Sequence, residues 1–355
     1  MMKCSVKYIS LCLLAVFVSS AAFAAGKTHL FAPLERLVDR NPGVMVNRDV
    51  VRGGGVIACR LLKNRGSITL HGLPSIVKAR VVNFGQLEIA RDQAVFTRKF
   101  HNLGVLKTTD TMVRFQGIYL EDGVYVSDPS DNYFDDDFIV GEDGYVVGGS
   151  GDNFYLRGDF LVSSTRNGEW STGEAFLEFR DGFRDGALYS DHVFTITGTD
   201  FGPSANGYVD NFVWGGLNLA AGNTLQLLDG NSSPGGALYV SGISGLVIDG
   251  DTVSNISSPE GINIYYQPGQ SVNDILNGLV YELSGHVGRL IPVWAKGPDI
   301  DHDGDVDGAD LALLAADMNT SCPPLSACCS DINDDGDIDG SDLELFAPAF
   351  GDGGQ

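Results

Sequence analysis

The chain has few of the residues that identify small disulfide-rich proteins, membrane proteins or nucleic-acid-binding proteins. Its 355 residues include 6 cysteines, 3 tryptophans and 23 lysines and arginines, against 46 aspartates and glutamates. No apolar run after residue 24 approaches the roughly 20 residues that a membrane-spanning helix needs. The formal net charge of −23 argues against binding to polyanions, which excludes nucleic acids and anionic membrane surfaces as expected partners.

The sequence also lacks the short motifs of several common active sites. It contains no Gly-x-Ser-x-Gly nucleophile motif and no glycine-rich phosphate loop, since Gly53-Gly54-Gly55 precedes a predicted strand and not a helix. The six histidines follow no metal-binding or nucleophile spacing; they are His29, His71, His101, His192, His286 and His302. The sequence therefore predicts no catalytic residue and no organic cofactor.

The first 24 residues have the pattern of a secretory signal peptide. Lys3 and Lys7 form a short positive region before an apolar run over residues 8–18. Residues 22–24 (Ala-Phe-Ala) form a small-x-small cleavage signal. We expect residues 1–24 to be removed and the protein to be secreted, either extracellular or at the cell surface. Export permits disulfides, and free thiols or a zinc site are the alternatives for the four remaining cysteines. These are Cys59, Cys322, Cys328 and Cys329.

A repeat with a period of 19 residues runs through the first half of the chain. Its clearest copies are Asn64-Arg-Gly66, Asn83-Phe-Gly85 and Asn102-Leu-Gly104. Apolar residues recur in register beside it in two columns, Leu62, Val81, Phe100 and Ile68, Leu87, Leu106. A fourth, less regular copy has Tyr119, Gly123 and Tyr125 at the equivalent positions.

Strands at a fixed period with a recurring turn glycine are typical of a β-solenoid. We therefore predict a mostly β fold with a right-handed β-solenoid-like, or β-helix-like, body over residues 25–204; a β-sandwich with coincidental spacing is the alternative. The Asn-x-Gly motif predicts left-handed backbone at a corner and ladders of asparagine side chains. Stacked strands would present long faces with repeating Tyr, Phe and Asn, which favours a polysaccharide-binding or adhesive surface.

Residues 205–293 have shorter apolar stretches between glycine-containing turns. The stretches 212–219 and 225–230, joined by a turn at 221–224, predict a β-hairpin. Trp214 is a candidate for covering an open end of the body. The segment from Gly207 to Tyr266 resembles a module at the end of many secreted bacterial β-solenoid proteins, which implies a β-hairpin cap in an extracellular setting. Residues 294–298 are the predicted linker, and Pro298 ends it.

Two acidic loops near the C-terminus carry the strongest functional pattern. They begin at Asp299 and at Asp331, and each places side-chain oxygens at loop positions 1, 3, 5, 9 and 12 with glycine at position 6, namely Gly304 and Gly336. Calcium takes six to eight oxygen ligands, and this alternation wraps them around one point, with a backbone carbonyl from position 7. Two Ca²⁺ ions are predicted. The first loop would use Asp299, Asp301, Asp303, Asp305, Asp307 and Asp310, and the second Asp331, Asn333, Asp335, Asp337, Asp339 and Asp342, with carbonyls from Asp305 and Asp337.

The acidic charge is concentrated in this part of the chain. Residues 299–355 contain 15 acidic and no basic residues, which leaves −8 of the total −23 for residues 1–298. Such a segment repels itself unless cations neutralise it, so its folding is expected to depend on metal. A merely solvated acidic tail is the alternative, but it gives no reason for glycine at position 6 of both loops.

Each loop is followed by a predicted short helix, over 311–318 and 343–350, with Asp310 and Asp342 at the N-terminal ends. A loop–helix unit that occurs twice, lacks an entering helix and closes its loop with Asp resembles the dockerin module, here over residues 299–351. The resemblance implies two calcium ions and docking to an extracellular protein of the cohesin type. These helices lack the Lys or Arg with which dockerins usually contact cohesins, so another extracellular protein is the alternative partner.

An acidic cluster in the body suggests an alternative function. Asp131, Asp135, Asp136 and Asp137 are followed by Glu142 and Asp143, with Arg114 or Arg157 as basic partners. Paired carboxylates could act as acid and base on a glycosidic bond, and dockerins often tether polysaccharide-degrading enzymes such as glycoside hydrolases or lyases. The surrounding Gly, Ser and Asp residues favour a solvated loop instead. We therefore expect a structural or adhesive protein.

Overall fold

The computed structural model describes residues 43–230, 235–294, 297–301, 305–321, 330–333 and 335–351, together with the backbone of two strands at 28–30 and 36–38. Several predictions lie outside these residues: the signal peptide, the role of Asp303 as a ligand, and any pairing of Cys322, Cys328 and Cys329.

The described chain is mostly β-structure, with two short α-helices near its C-terminal end. Strands of the first part are β1 (Thr28–Leu30), β2 (Arg36–Val38), β3 (Val44–Asn47), β4 (Val50–Arg52), β5 (Val56–Asn64), β6 (Ser67–Leu70), β7 (Ser75–Asn83), β8 (Gln86–Ala90), β9 (Ala94–Phe96), β10 (Phe100–Asn102), β11 (Val105–Phe115), β12 (Tyr119–Glu121), β13 (Val124–Phe134), β14 (Phe138–Val140), β15 (Tyr145–Val147), β16 (Asn153–Leu156), β17 (Phe160–Val162), β18 (Thr172–Phe179), β19 (Gly182–Arg184), β20 (Ala187–Tyr189) and β21 (Asp191–Ile196). Later strands are β22 (Trp214–Leu219), β23 (Thr224–Asp229), β24 (Ala237–Ser244), β25 (Ile248–Asp249), β26 (Thr252–Ser257), β27 (Asn263–Tyr266), β28 (Tyr281–Ser284), β29 (Arg289–Pro292), β30 (Thr320–Ser321) and β31 (Asp337–Ile338). The α-helices are α1 (Gly308–Asp317) and α2 (Gly340–Phe346), and 3-10 turns lie at Ala205–Tyr208, Ser271–Leu276 and Ala347–Ala349. None of the described helices is long and apolar enough to cross a membrane.

Parallel pairing at the predicted 19-residue offset builds the first half of the large sheet. Strand β7 pairs with β5 and β10, and β11 pairs with β8 and β13. Each predicted apolar column is one line of paired residues. The two lines are Leu62–Val81–Phe100–Tyr119 and Ile68–Leu87–Leu106–Tyr125. All of these side chains are buried, so the predicted register is confirmed at these positions.

The asparagines of the repeat point into the core and form the predicted ladder. The Nδ2 groups of Asn47, Asn64 and Asn83 each donate to the Oδ1 atom of the next asparagine, at 2.8, 2.7 and 2.7 Å, and Asn102 receives the last bond. The prediction of left-handed backbone at this motif is wrong, because neither its asparagines nor its glycines have positive φ. Glycine is needed for close stacking: a Cβ atom on Gly104 would lie 2.2 Å from the carbonyl oxygen of the preceding copy's glycine.

Aromatic side chains fill the middle of the core. Phe115 stacks between Phe96 and Phe134 with ring centroids 5.2 and 5.3 Å apart. Trp214 is buried, and its ring centroid lies 5.4 Å from that of Phe154. It packs within the core, so the prediction that it covers an open end is wrong. The asparagines of the repeat and most Phe side chains of this region are buried in the core and cannot contribute to an outer binding face, whereas Tyr133 and Tyr155 are half-buried and stack on each other.

The predicted hairpin over 212–219 and 225–230 is wrong. Strand β22 pairs in parallel with β18 and β24, whereas β23 pairs in parallel with β21 and β26. The connection around Gly222, with φ +84°, is a corner between two lines of strands. Both strands bury leucines in the same core, but each pairs with strands from other parts of the chain and not with the other. Antiparallel pairs do occur later, between β25 and β26 and between β28 and β29.

The C-terminal part has a separate small core of Ile300, Val306, Leu314, Ile338 and Phe346. Both helices begin three residues before their predicted starts, at 308 and 340. The reason is a capping box in each unit. The loop position 9 carboxylate accepts the first helical N–H groups, and the position 12 carboxylate accepts the backbone N–H of position 9.

Candidate metal centre

In the first acidic loop, Asp310 lies between two groups of carboxylates. Its oxygens come within 4.8 Å of those of Asp299 and Asp301 on one side, and of Asp305 and Asp307 on the other. A carboxylate set of this kind offers several hard oxygen donors to one cation. Asp305 was predicted to contribute its carbonyl, and its side chain joins the group as well.

Backbone donors hold the Asp310 carboxylate in place. Its Oδ1 atom accepts the N–H groups of Ile300 at 2.6 Å and Asp301 at 3.0 Å, and its Oδ2 atom accepts that of Asp307 at 2.8 Å. Burial acts to raise the pKa of Asp310, but the hydrogen bonds from Asp307, Asp301 and Ile300 outweigh it and lower the pKa. The side chain is therefore a preorganised carboxylate at neutral pH.

The second loop repeats this arrangement at the equivalent loop positions. Asp342 is buried, its Oδ1 atom accepts the N–H groups of Ile332 at 2.7 Å and Asn333 at 3.2 Å, and its Oδ2 atom accepts that of Asp339 at 2.8 Å. Gly336, at loop position 6, has φ +92°, a conformation that residues with a side chain rarely adopt. The glycine thus has the turn-forming role predicted for this position.

The two loops differ around Asn333. Its Nδ2 group donates to Asp335 Oδ2 at 2.9 Å and to Ser341 Oγ at 2.8 Å. Within residues 330–333 and 335–351, no three carboxylates come within 4.8 Å of one another. The Asp335 carboxylate thus faces the amide of Asn333 and not a group of other carboxylates from the described part of the loop.

Ser341 was not predicted to take part in the site. Its hydroxyl donates to Asp339 Oδ1 at 2.6 Å, and its backbone N–H donates to the same atom at 2.8 Å. These two bonds lower the pKa of Asp339, the first of them being the larger cause. No signal for Ser341 was available in the sequence, since the first loop has Ala309 at the equivalent position.

The donor chemistry fits a hard cation. The predicted ligands that the structure describes all offer carboxylate, amide or carbonyl oxygens, with no nitrogen or sulfur donor among them. Oxygen-only sets favour calcium, magnesium or manganese over zinc and copper. The arrangement can bind a cation and order the loop backbone around it.

The acidic cluster of the body has a different character. Asp135 is only 17% exposed and pairs with Arg114 at 2.6 Å and Arg157 at 3.5 Å. Asp137 pairs with Arg184 and accepts the backbone N–H of Asp159 at 3.0 Å, while its pKa is raised chiefly by burial. The expectation of a solvated loop is wrong for Asp135 and Asp137, which pair with arginines, whereas Glu142 and Asp143 are exposed as expected.

No family model matches the chain, and neither a curated protein nor a solved structure is similar to it. The residues and geometry described above therefore carry the functional argument.

Proposed function

We propose that this is an exported, modular calcium-binding protein with a structural or adhesive role. Its body would be a right-handed β-solenoid, and residues 299–351 would form a dockerin-like module that binds two Ca²⁺ ions. The observation that carries the proposal is the matched pair Asp310 and Asp342: each buried carboxylate accepts three backbone N–H groups from its own loop, with the same partners at the same loop positions.

Calcium is the cation that fits best. The loops offer only oxygen donors, and a flexible set of six or seven oxygens suits calcium better than the strict octahedron of magnesium. Two divalent ions would also neutralise part of the charge of −15 on residues 299–355. The ions would replace repulsion by coordination, so folding of this module would follow its calcium occupancy.

Support for the solenoid comes from the parallel pairing at a 19-residue offset and from the inward asparagine ladder. A chain that advances by one strand spacing in each repeat buries its apolar columns on its neighbours. Such a body is a stiff spacer, which suits a structural role.

Docking to a protein partner is supported by leucines at equivalent positions of the two helices. Leu313 and Leu345 stand at the same position after their respective loops and are 41% and 50% exposed, and Leu311 and Leu343 form a second exposed pair. Neither helix carries Lys or Arg. An extracellular protein, of the cohesin type or another, would contact a surface that is apolar rather than basic.

Calorimetric titration of the full chain with Ca²⁺ and, separately, Mg²⁺ tests the metal proposal. We expect two calcium ions per chain and much weaker magnesium binding. The double variant Asp299→Ala and Asp331→Ala should lose both ions, whereas Asp249→Ala with Asp274→Ala removes the same charge from exposed sites of residues 205–293 and should keep both. Calcium binding that survives in the first double variant would refute the proposed sites.

Pulldown from extracellular fractions tests the docking proposal. Capture should require calcium and should be lost in Leu313→Lys with Leu345→Lys, while that variant still binds two ions. Capture that is unchanged by these substitutions would place the partner elsewhere on the molecule.

A further inference from the structure

One peptide group in the first loop is hydrogen-bonded through both its N–H group and its carbonyl oxygen. It joins Val306 and Asp307, which are loop positions 8 and 9. Its N–H group donates to Asp310 Oδ2 at 2.8 Å, within the loop. Its carbonyl oxygen accepts the N–H group of Gly351, also at 2.8 Å, from beyond the second helix.

The equivalent peptide of the second loop is held in the same way, by the other unit. It joins Ile338 and Asp339. Its N–H group donates to Asp342 Oδ2 at 2.8 Å, and its carbonyl oxygen accepts the N–H group of Asn319 at 2.8 Å. Asn319 follows the first helix as Gly351 follows the second.

The two donors share an uncommon backbone conformation. Asn319 has φ +64° and Gly351 has φ +90°, and each stands equally far along the chain from the start of its own loop. A left-handed residue just past a helix commonly ends the helical turn, and here the N–H groups of both residues donate to the loop of the other unit. Asparagine and glycine are the residues that adopt this conformation at least cost. The short strands β30 and β31 extend the contact between Asn319 and the second loop.

We propose that Gly351 and Asn319 are positioning residues for the cation sites, each acting on the loop of the other unit. This inference rests on the proposed function, since it concerns the same two calcium sites. The held peptide lies directly between two ligands, the carbonyl of position 7 and the side chain of position 9. If these hydrogen bonds fix the peptide before the ion binds, binding does not carry the conformational-entropy cost of ordering it.

Each residue should therefore affect calcium binding at the loop of the other unit, which proximity along the chain does not predict. Removing the N–H group of Gly351 should weaken the first loop, 299–310, and leave the second loop, which is nearer in sequence, largely unchanged. Removing that of Asn319 should weaken the second loop more than the first.

Chain length provides a matched test. Chains ending at Gly351 and at Phe350 are compared with the full chain by calorimetric titration with Ca²⁺, each with Asp331→Ala to report the first loop or Asp299→Ala to report the second. We expect the chain ending at Gly351 to behave as the full chain does. The chain ending at Phe350 should bind calcium about 2- to 12-fold more weakly at the first loop only, the loss typical of one hydrogen bond.

A substitution series tests the reciprocal contact. Asn319→Gly keeps the N–H group and the left-handed backbone and should leave both affinities unchanged. Replacing the backbone N–H of Asn319 by an ester oxygen keeps the side chain and the left-handed backbone, and should weaken the second loop by a factor in the same range. Circular dichroism of each variant establishes that the helices form in saturating calcium.

The outcomes separate the two proposals. If the full chain binds no calcium, the proposed function fails and this inference fails with it. If the full chain binds two ions and the chain ending at Phe350 matches it at both loops, only the positioning role is overturned. Equal weakening of both loops would also overturn it, because general destabilisation does not distinguish one loop from the other.

Discussion

Asn102 donates its side-chain Nδ2 group to both carboxylate oxygens of Glu121, at 2.8 and 3.0 Å. Glu121 stands where the next asparagine of the repeat would be, and it is fully buried. It also accepts the hydroxyl of Tyr119 at 2.6 Å and the backbone N–H of Gly123 at 2.8 Å. Its neighbour on the following strand is Val140, which has no polar side chain, so the asparagine ladder ends at an acid.

This acid should make the stability of the body depend on pH. Burial raises the pKa of Glu121 from 4.5 to about 8. Because the folded pKa lies above the unfolded one, the stabilising contribution of this group is present below pH 4.5 and is lost as the pH rises to about 8. The loss is at most about 1.4 kcal/mol per pH unit. Glu121→Gln should flatten this slope in thermal unfolding measured from pH 5 to pH 9, whereas Glu88→Gln, on an outward position, should keep it. Equal slopes in wild type and Glu121→Gln would contradict the prediction.

Within the ladder, by contrast, an acid should not be tolerated. Asn83 accepts the amide of Asn64 and donates to Asn102 Oδ1, both at 2.7 Å. Asn83→Ala leaves partners unsatisfied and should cost about 2–4 kcal/mol in urea unfolding. Asn83→Asp should cost more, because a buried carboxylate would face another oxygen without a proton between them. The exposed Gln86→Ala is the control and should change stability by less than about 0.5 kcal/mol. An Asp variant more stable than the Ala variant would show that the amide proton is not what the ladder requires.

The sequence predicted the paired columns of the body because a parallel ladder places equivalent residues of each repeat side by side. It did not reveal why the motif needs glycine, since left-handed backbone and close stacking both select that residue. The parallel partners of β22 and β23 could not be predicted from the local sequence either. A corner and a hairpin use similar turn residues, and they differ in which distant strands each segment pairs with.

For the candidate site, the spacing of oxygen side chains was enough to predict which residues gather around Asp310. The contacts made by Asn319 and Gly351 had no such signal. They are backbone hydrogen bonds between distant segments, and backbone groups are the same at every residue. Only the three-dimensional arrangement brings them to the loops.

The close stacking of glycines leads to a third prediction. Gly104→Ala should destabilise the body by about 3 kcal/mol or more, because the new Cβ atom would meet backbone that cannot move without opening the ladder. Gly149→Ala has no heavy atom within 4 Å of the added methyl group and no positive φ, so it should be nearly neutral. Gly72→Ala has open space but φ +81°, and should cost about 1 kcal/mol from backbone strain alone. If thermal unfolding shows the same loss of stability for Gly104→Ala as for Gly72→Ala, the stacked strands can separate at little cost.

The two cation sites should differ in affinity, with the first loop the stronger. The first loop has Asp301 at position 3 where the second has Asn333, so it carries one more carboxylate among its predicted side-chain ligands. Calcium affinity rises with the number of ligand charges. In the second loop the amide of Asn333 also donates to Asp335 Oδ2 at 2.9 Å and competes with an ion for that oxygen.

Asn333→Asp should therefore strengthen the second loop, by about tenfold, which corresponds to about 1.4 kcal/mol. The measurement is calcium titration of the full chain carrying Asp299→Ala, so that only the second loop reports. Ala347→Asp adds the same charge on an exposed position of the module and should raise the affinity far less. An equal gain in both variants would mean that net charge governs the site. A gain confined to Asn333→Asp would identify position 3 as a direct ligand, because coordination, unlike a screened charge, depends on where the oxygen lies.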